Sequence, residues 1–394
     1  SGLCALAGSL GMLIGARLLQ GVAGGMLVPI GQLIAAELAG PGRMGKMVSR
    51  IWMFSSVGSM VGPTLGGALL QGLGWRWIFL VNVPISAVAT VAAVYLLPHT
   101  PSRPAGRLDL GGLARLSLGV PATIFALAQA QASGSLLSPR ALVPMAVGLI
   151  LVGDFVRHAL RCPRPLLDLR LWTRRTFRSG LVAIFFVDLV WFGVLVLLPL
   201  SFQQLRHATP LAAGLLMAPQ GLGTAIGMWV CGRLADGPLA RRLGAAGALA
   251  LACTTMVVAG FGSHMAAAPI CLTLLVAGFA AGVSWVPATA VSYAGLAGDE
   301  ISHASPLVTV VMRLGASFGT AIAAIVLQAQ LGGGHVLARR AGAGHVLAAY
   351  GFAFHLEAAV ALFAALVYVW MCRVVHRSPP PARLDTAELV LASA

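Results

Sequence analysis

Ser179-Gly180-Leu181-Val182-Ala183-Ile184-Phe185-Phe186-Val187-Asp188-Leu189-Val190-Trp191-Phe192-Gly193-Val194-Leu195-Val196-Leu197-Leu198-Pro199-Leu200 is an apolar run whose single charge is Asp188. As a helix rising 1.5 Å per residue it reaches about 33 Å, enough to cross a hydrocarbon core of ~30 Å. Working outward, similar runs recur near 11–38, 48–71, 77–97, 110–130, 141–160, 211–231, 244–262, 267–295, 306–330 and 352–374, with a stub at 1–8. That pattern predicts eleven membrane spans. They are expected to be helices, because lipid offers no partner for backbone N–H and C=O groups. The two-residue alternation of a membrane β-barrel is absent.

Composition agrees. Of the 394 residues 58% are hydrophobic and 9% charged, and mean hydropathy is +0.90. Soluble domains average about a quarter charged residues, so a water-facing surface cannot be built here. The net charge of +15 suggests nucleic-acid binding until each basic residue is placed. With the chain start outside, nineteen of the 26 Lys and Arg fall in segments predicted cytoplasmic and five in external ones. Arg17 and Arg313 lie within spans. The asymmetry is the positive-inside signature, which puts the C-terminus in the cytoplasm and removes nucleic acid as a partner. The lipid bilayer takes its place. The loop 296–305, with Asp299 and Glu300 and no base, does not contribute.

The six cysteines show no C-x-x-C spacing, so neither a metal site nor a disulfide framework is expected. Gly282-x4-Pro287 aligns with Gly24-x4-Pro29 at an offset of 258, and Gly315-x3-Gly319 with Gly58-x3-Gly62 at 257. One offset for two glycine-patterned helix pairs suggests duplicated parallel halves. The spans at 110–130 and 141–160 have no counterpart and read as an insert. Carried backward, the offset puts a partner of the 179–200 helix before Ser1, so the chain is expected to lack its first spans.

Three stretches carry candidate function. Arg17-Leu18-Leu19-Gln20-Gly21 places an arginine inside a span, where it needs a partner, a wet cavity, or a reach to the interface. Gly58-Ser59-Met60-Val61-Gly62-Pro63-Thr64-Leu65-Gly66-Gly67 sets glycines four apart on one face, with Pro63 removing a backbone donor. Such a ridge serves ordinary close packing or the sliding of two bundles. Gly232-Arg233-Leu234-Ala235-Asp236-Gly237-Pro238-Leu239-Ala240-Arg241-Arg242 puts an acid among bases at a helix end, either a gating charge relay or a solvated loop.

These stretches resemble the major facilitator superfamily, in particular its fourteen-helix drug:proton antiporter branch. Arg17, Gln20 and Gly21 resemble the family's proton-linked fourth-helix motif. Gly58, Gly62, Pro63, Gly66 and Gly67 resemble its antiporter motif. Gly74-Trp75-Arg76-Trp77-Ile78-Phe79-Leu80-Val81-Asn82-Val83-Pro84-Ile85 is similar to the branch's sixth-helix entry, and Pro165–Leu171 to the lead into helix nine. Gly232, Arg233, Asp236, Arg241 and Arg242 resemble the gating loop, departing from it at Gly237-Pro238-Leu239.

The resemblance implies an all-α fold of two six-helix bundles plus two inserted central helices, with the first two to three helices missing. The divisions are 1–98 (incomplete N-terminal bundle), 99–177 (linkers and extra helices), 178–376 (C-terminal bundle) and 377–394 (cytoplasmic tail). It implies export of small lipophilic or cationic molecules across an inner membrane by alternating access. The proton gradient would drive it without a cofactor, and an envelope adaptor protein is an implied partner.

Asp188, a carboxylate at mid-span, joins Arg17 as a proton-coupling candidate. Asp154 and Glu357 read as nearer span ends and rank below it. Phe185, Phe186, Trp191, Met217, Trp229 and Trp285 are candidates to line a substrate pocket. Two other classes stay open. A transporter of a sugar or metabolite shares the fold, while a membrane-embedded enzyme would need paired carboxylates or H-E-x-x-H, and neither occurs.

Overall fold

The computed structural model describes residues 1–39, 58, 62, 65–96, 109–133, 138–163, 165–234, 238–261, 265–294, 296, 298–331 and 343–377. Pro63 and Asp236, most of the span at 48–71 and the tail beyond 377 lie outside them. Among the described residues there is no strand, and ten helices are long and apolar enough to cross a membrane. We label the helices α1 (Gly2–Ala5), α2 (Leu10–Ala39), α3 (65–72), α4 (Trp77–Leu80), α5 (Asn82–Leu96), α6 (Leu110–Ser133) and α7 (Pro139–Arg161). A 3₁₀ turn at Leu169–Thr173 precedes α8 (Arg175–Leu205), α9 (Pro210–Arg233), α10 (Pro238–Ala259), α11 (Ala267–Tyr293), α12 (Gly298–Gln330) and α13 (Ala343–Arg377). The chain is an all-α polytopic membrane protein.

The helices outrun the apolar windows that predict them. α8, α12 and α13 have 31, 33 and 35 residues. Hydropathy marks only the part that lipid demands, whereas i→i−4 hydrogen bonding carries the helix on into the interface.

Helices α8 to α13 pack around shared apolar cores. α9 lies on α11, α12 on α8, and α13 on both α8 and α10. Glycine sets the closest crossing. A Cβ at Gly223 would come within 2.8 Å of the Phe279 backbone nitrogen, and one at Gly278 within 2.8 Å of the Gln220 carbonyl carbon. With Gly227 and Gly282 one turn on, both helices present a small-xxx-small face, and backbone meets backbone. On α13 the buried side chains Tyr350, Phe354, Glu357, Ala361, Ala364, Tyr368 and Met371 repeat at alternating steps of four and three. That is the seam of a helix packed knobs-into-holes. The Tyr368 hydroxyl donates to the Ser284 carbonyl at 2.8 Å, and Ser284 Oγ to the Gly244 carbonyl at 3.1 Å, linking α13, α11 and α10.

α6 and α7 form a hairpin sealed at Gly119, 3.0 Å from Leu151 if given a Cβ, and at Gly148, 2.8 Å from the Thr123 nitrogen. Asp109 ties its base. Its carboxylate accepts from Gly112 N–H at 2.8 Å and Leu166 N–H at 3.3 Å, and pairs with His158 Nε2 at 2.8 Å. The Gly112 N–H is the largest cause holding this carboxyl below its ordinary value, with His158 and Leu166 adding to it against an opposing effect of burial.

Toward the N-terminus, α1 packs on α2 and α4 around Cys4, Ala5, Ala16 and Phe79, and α2 touches α12. Gly74, at φ 88°, makes the turn into α4. α5 buries no side chain, and Leu18, Leu19 and Val22 of α2 are exposed. Apolar faces of this extent suit lipid or a neighbouring helix, not water.

Candidate functional site

The central helix of the C-terminal set is α8, and its crossing with α12 is built on glycine. A Cβ at Gly315 would lie 2.6 Å from the Phe185 carbonyl oxygen and 3.1 Å from Asp188 Cβ, and Gly319 abuts the Leu189 backbone. These are the two glycines that align with Gly58 and Gly62. Their absent side chains let α12 close over Asp188, which is 1% exposed. Neither carboxylate oxygen of Asp188 meets a hydrogen-bond partner at ordinary geometry. The groups that act on it are the Arg313 guanidinium of α12 and the Trp285 indole N–H of α11. Trp285 also meets Trp191, one turn from Asp188 on α8, with ring centroids 6.2 Å apart. Met217 of α9 is buried in the same apolar core.

Arg313 is the nearby positive charge that sequence reasoning missed. Asp188 has no counter-charge near it in the chain, and the one whose field reaches it, without an ion pair between them, lies 125 residues on in α12. The signal available was Arg313 itself, an arginine well inside a predicted span. Arg313 also lines a cavity of about 330 Å³ between α2, α6 and α12, with Gly24, Gly25, Ser117, Pro121 and Thr309.

Other candidates are placed differently. Arg17 is exposed. It donates to Gln20 Oε1 at 3.0 Å and stacks 4.5 Å from the Phe79 ring centroid, and Gln20 donates to Ser1 Oγ at 2.7 Å. Among the described residues it meets no carboxylate, so the pairing expected of a proton-coupling arginine is not seen. Gly21 is open, as are Gly58, Gly62 and Gly66, with nothing within 4 Å of a Cβ. Among the described glycines of the expected ridge, Gly67 is the one in contact, 3.1 Å from the Pro210 and Leu211 backbone at the start of α9.

Phe186 turns from the tryptophan pair to Phe363 of α13, with centroids 4.9 Å apart. Phe185, which stacks on Phe186, faces Phe318. Trp229 is exposed beneath Arg233, whose guanidinium lies 3.7 Å from the ring centroid. Trp191, Met217 and Trp285 thus share one apolar core, while Phe186 and Trp229 meet other neighbours. Gly232 is buried, Arg241 half-buried and Arg242 exposed at the α9–α10 turn.

Asp154 pairs with Arg115 at 2.5 Å across the hairpin, in an exposed position. Glu357 corrects the ranking by depth. Because α13 begins at Ala343 rather than near 352, this residue lies well inside its helix, 1% exposed.

All six cysteines are free thiols. Among the described residues one trio of metal-ligand type, Asp109, His158 and Cys162, has its donor atoms within 4.8 Å of one another. Cysteine spacing gave no sign of it, because Asp109 lies 49 residues before His158 in the chain. The Asp109 oxygens are already engaged by Gly112, Leu166 and His158, so the trio reads as a tie between hairpin and linker.

The sequence profile of the Major Facilitator Superfamily matches residues 1–320. The chain belongs to this superfamily. Among similar proteins, a "Multidrug resistance protein B homolog" of Mycobacterium tuberculosis is 33% identical over 345 residues, covering 85% of this chain and 63% of that protein. A "Putative multidrug resistance protein MdtD" of Escherichia coli is 34% identical over 223 residues, covering 56% of this chain and 46% of that protein. This superfamily member thus spans less than two thirds of the length of these relatives.

Proposed function

We propose that the chain works in a secondary active exporter of the inner membrane, expelling small lipophilic or cationic molecules in exchange for protons by alternating access. The observation that carries this is Asp188, enclosed where α8 and α12 cross and acted on by Arg313 and Trp285. An ionised carboxylate buried without a partner costs several kcal/mol, so Asp188 must hold a proton or be balanced by a cation. Arg313 and a cationic substrate are the two cations within its reach. When Asp188 takes a proton, its hold on either is released, and the glycine-built α8–α12 crossing is free to shift. Trp191 and Trp285 supply an apolar, π-rich wall suited to a flat lipophilic cation. The multidrug-resistance names of the relatives support the substrate class, and the distribution of Lys and Arg supports a cytoplasmic C-terminus.

The test is proton release on substrate addition to purified protein in lipid nanodiscs, with ethidium as cationic probe and Nile red as neutral probe. Asp188→Asn is expected to keep the fold, as judged by an unchanged melting curve, and to lower proton release and ethidium export more than Nile red export. Unchanged release and unchanged ethidium export would reduce Asp188 to a packing residue.

A further inference from the structure

Glu357 occupies the middle of the α13 seam, between Phe354 and Ala361, where every other member is apolar, a phenol or a methionine. A carboxylate there breaks the pattern that packs the helix, and such local violations mark function more often than stability. The opposing helix makes room for it. Gly193 of α8 faces the side chain so closely that a Cβ would lie 2.6 Å from the Glu357 carboxyl carbon. Alanine, the smallest alternative, would expel the carboxyl from its place. Oε2 has no hydrogen-bond partner. One face of α13 therefore sets an acid with one buried, unpartnered oxygen into a cradle cut for it.

No acidic or basic side chain of α8, α10 or α12 among the described residues acts on this group. Asp188 is turned to α12, on another face of α8. On α13 itself, Tyr350 lies two turns away on the same face with its hydroxyl also unpartnered, and His355 is turned to the Gly351 carbonyl at 2.5 Å. With no cation in reach, an ionised Glu357 would carry the several kcal/mol of an uncompensated buried charge. The species that fits the cradle is the neutral acid.

We infer that Glu357 is a second proton-binding site of the C-terminal bundle, separate from Asp188 and loaded or emptied as the α8–α13 seam parts at Gly193. The inference rests on the proton-coupled reading above for its role in transport, but not for the site itself. The bond involved is a single O–H on the Glu357 carboxyl, made when the seam reaches water on the acidic side and broken when it reaches water on the other.

Infrared difference spectroscopy on the purified protein in nanodiscs reads the site without transport. The wild type is expected to keep a protonated-carboxyl band at a pH where exposed Asp and Glu are ionised. Glu357→Gln should remove that band and Asp188→Asn should leave it. Gly193→Ala, which retains the acid but blocks its cradle, should shift it.

Substrate-induced proton release then reads the role. With ethidium as probe, Glu357→Gln is expected to release about half the protons per molecule exported. If Glu357 serves only to set helix register, as a buried polar residue in a seam can, Gln will substitute with no change in release, and the inference fails. A band that survives in Glu357→Gln overturns it directly. If the wild type itself releases no protons while the band behaves as described, the proton-coupled reading falls and the site stands.

Discussion

The Arg313 charge acts on Asp188 across the α8–α12 crossing without an ion pair between them, and two charges coupled through space should show it in a double-mutant cycle. Arg313→Gln alone leaves an acid with no counter-charge and is expected to destabilise the protein or drive Asp188 to hold its proton permanently. Asp188→Asn with Arg313→Gln should be no worse than Arg313→Gln alone. The coupling energy from melting curves of the two single and one double variants is expected at about 0.5–3 kcal/mol, and simple additivity would show the pair to be independent. Arg17 makes the opposite case. It rests on Gln20 and Phe79 at an exposed site, where a lysine keeps the charge and loses only the flat fork. Arg17→Lys is expected to export ethidium at close to the parent rate. A large loss would mean that Arg17 finds a carboxylate at another stage of the cycle.

At the scale of helices, glycine decides which pairs approach and which stay apart. Gly278 of α11 is met by the backbone of α9, which cannot rotate away as a side chain can. Gly278→Ala is expected to force the crossing open and lower stability by about 1–3 kcal/mol. Gly62, with nothing within 4 Å, should accept Ala with no loss, since Ala is the better helix former. Thermal melts of the two variants side by side decide the matter, and equal losses would contradict the packing described. Gly62→Leu asks a further question. The 58-62-66 face is open here, so a variant that melts normally but does not export would show that the face closes during the cycle.

Over the whole molecule, the charge distribution predicts a sidedness that packing alone does not. The segment 161–178 is expected in the cytoplasm and 331–351 outside. Ser179 is fully buried, so a labelling site must be chosen nearby. Thr173→Cys and Gly344→Cys are both exposed positions. In a background without the six native cysteines, an impermeant thiol reagent applied to intact cells should label Gly344→Cys and spare Thr173→Cys. The reverse pattern would invert the orientation and, with it, the direction of export.

Sequence alone determined the class, the spans and one buried acid, because each depends on the residue and its near neighbours. A run such as 179–200 must be a membrane helix wherever it sits, and a carboxylate in its middle must be accounted for. The glycine repeats were equally legible, although which of them bear contact was not. Gly315 and Gly319 are packed and their counterparts Gly58 and Gly62 are open. Tertiary structure decided the rest. It brought Arg313 to Asp188, set Trp191 against Trp285 while turning Phe186 away, and drew Glu357 into the bundle by starting α13 nine residues before its apolar window. Hydropathy is a sum over single residues along one helix. The partner of a buried charge is chosen by where two backbones can touch, and that depends on absent side chains in helices far apart in the chain.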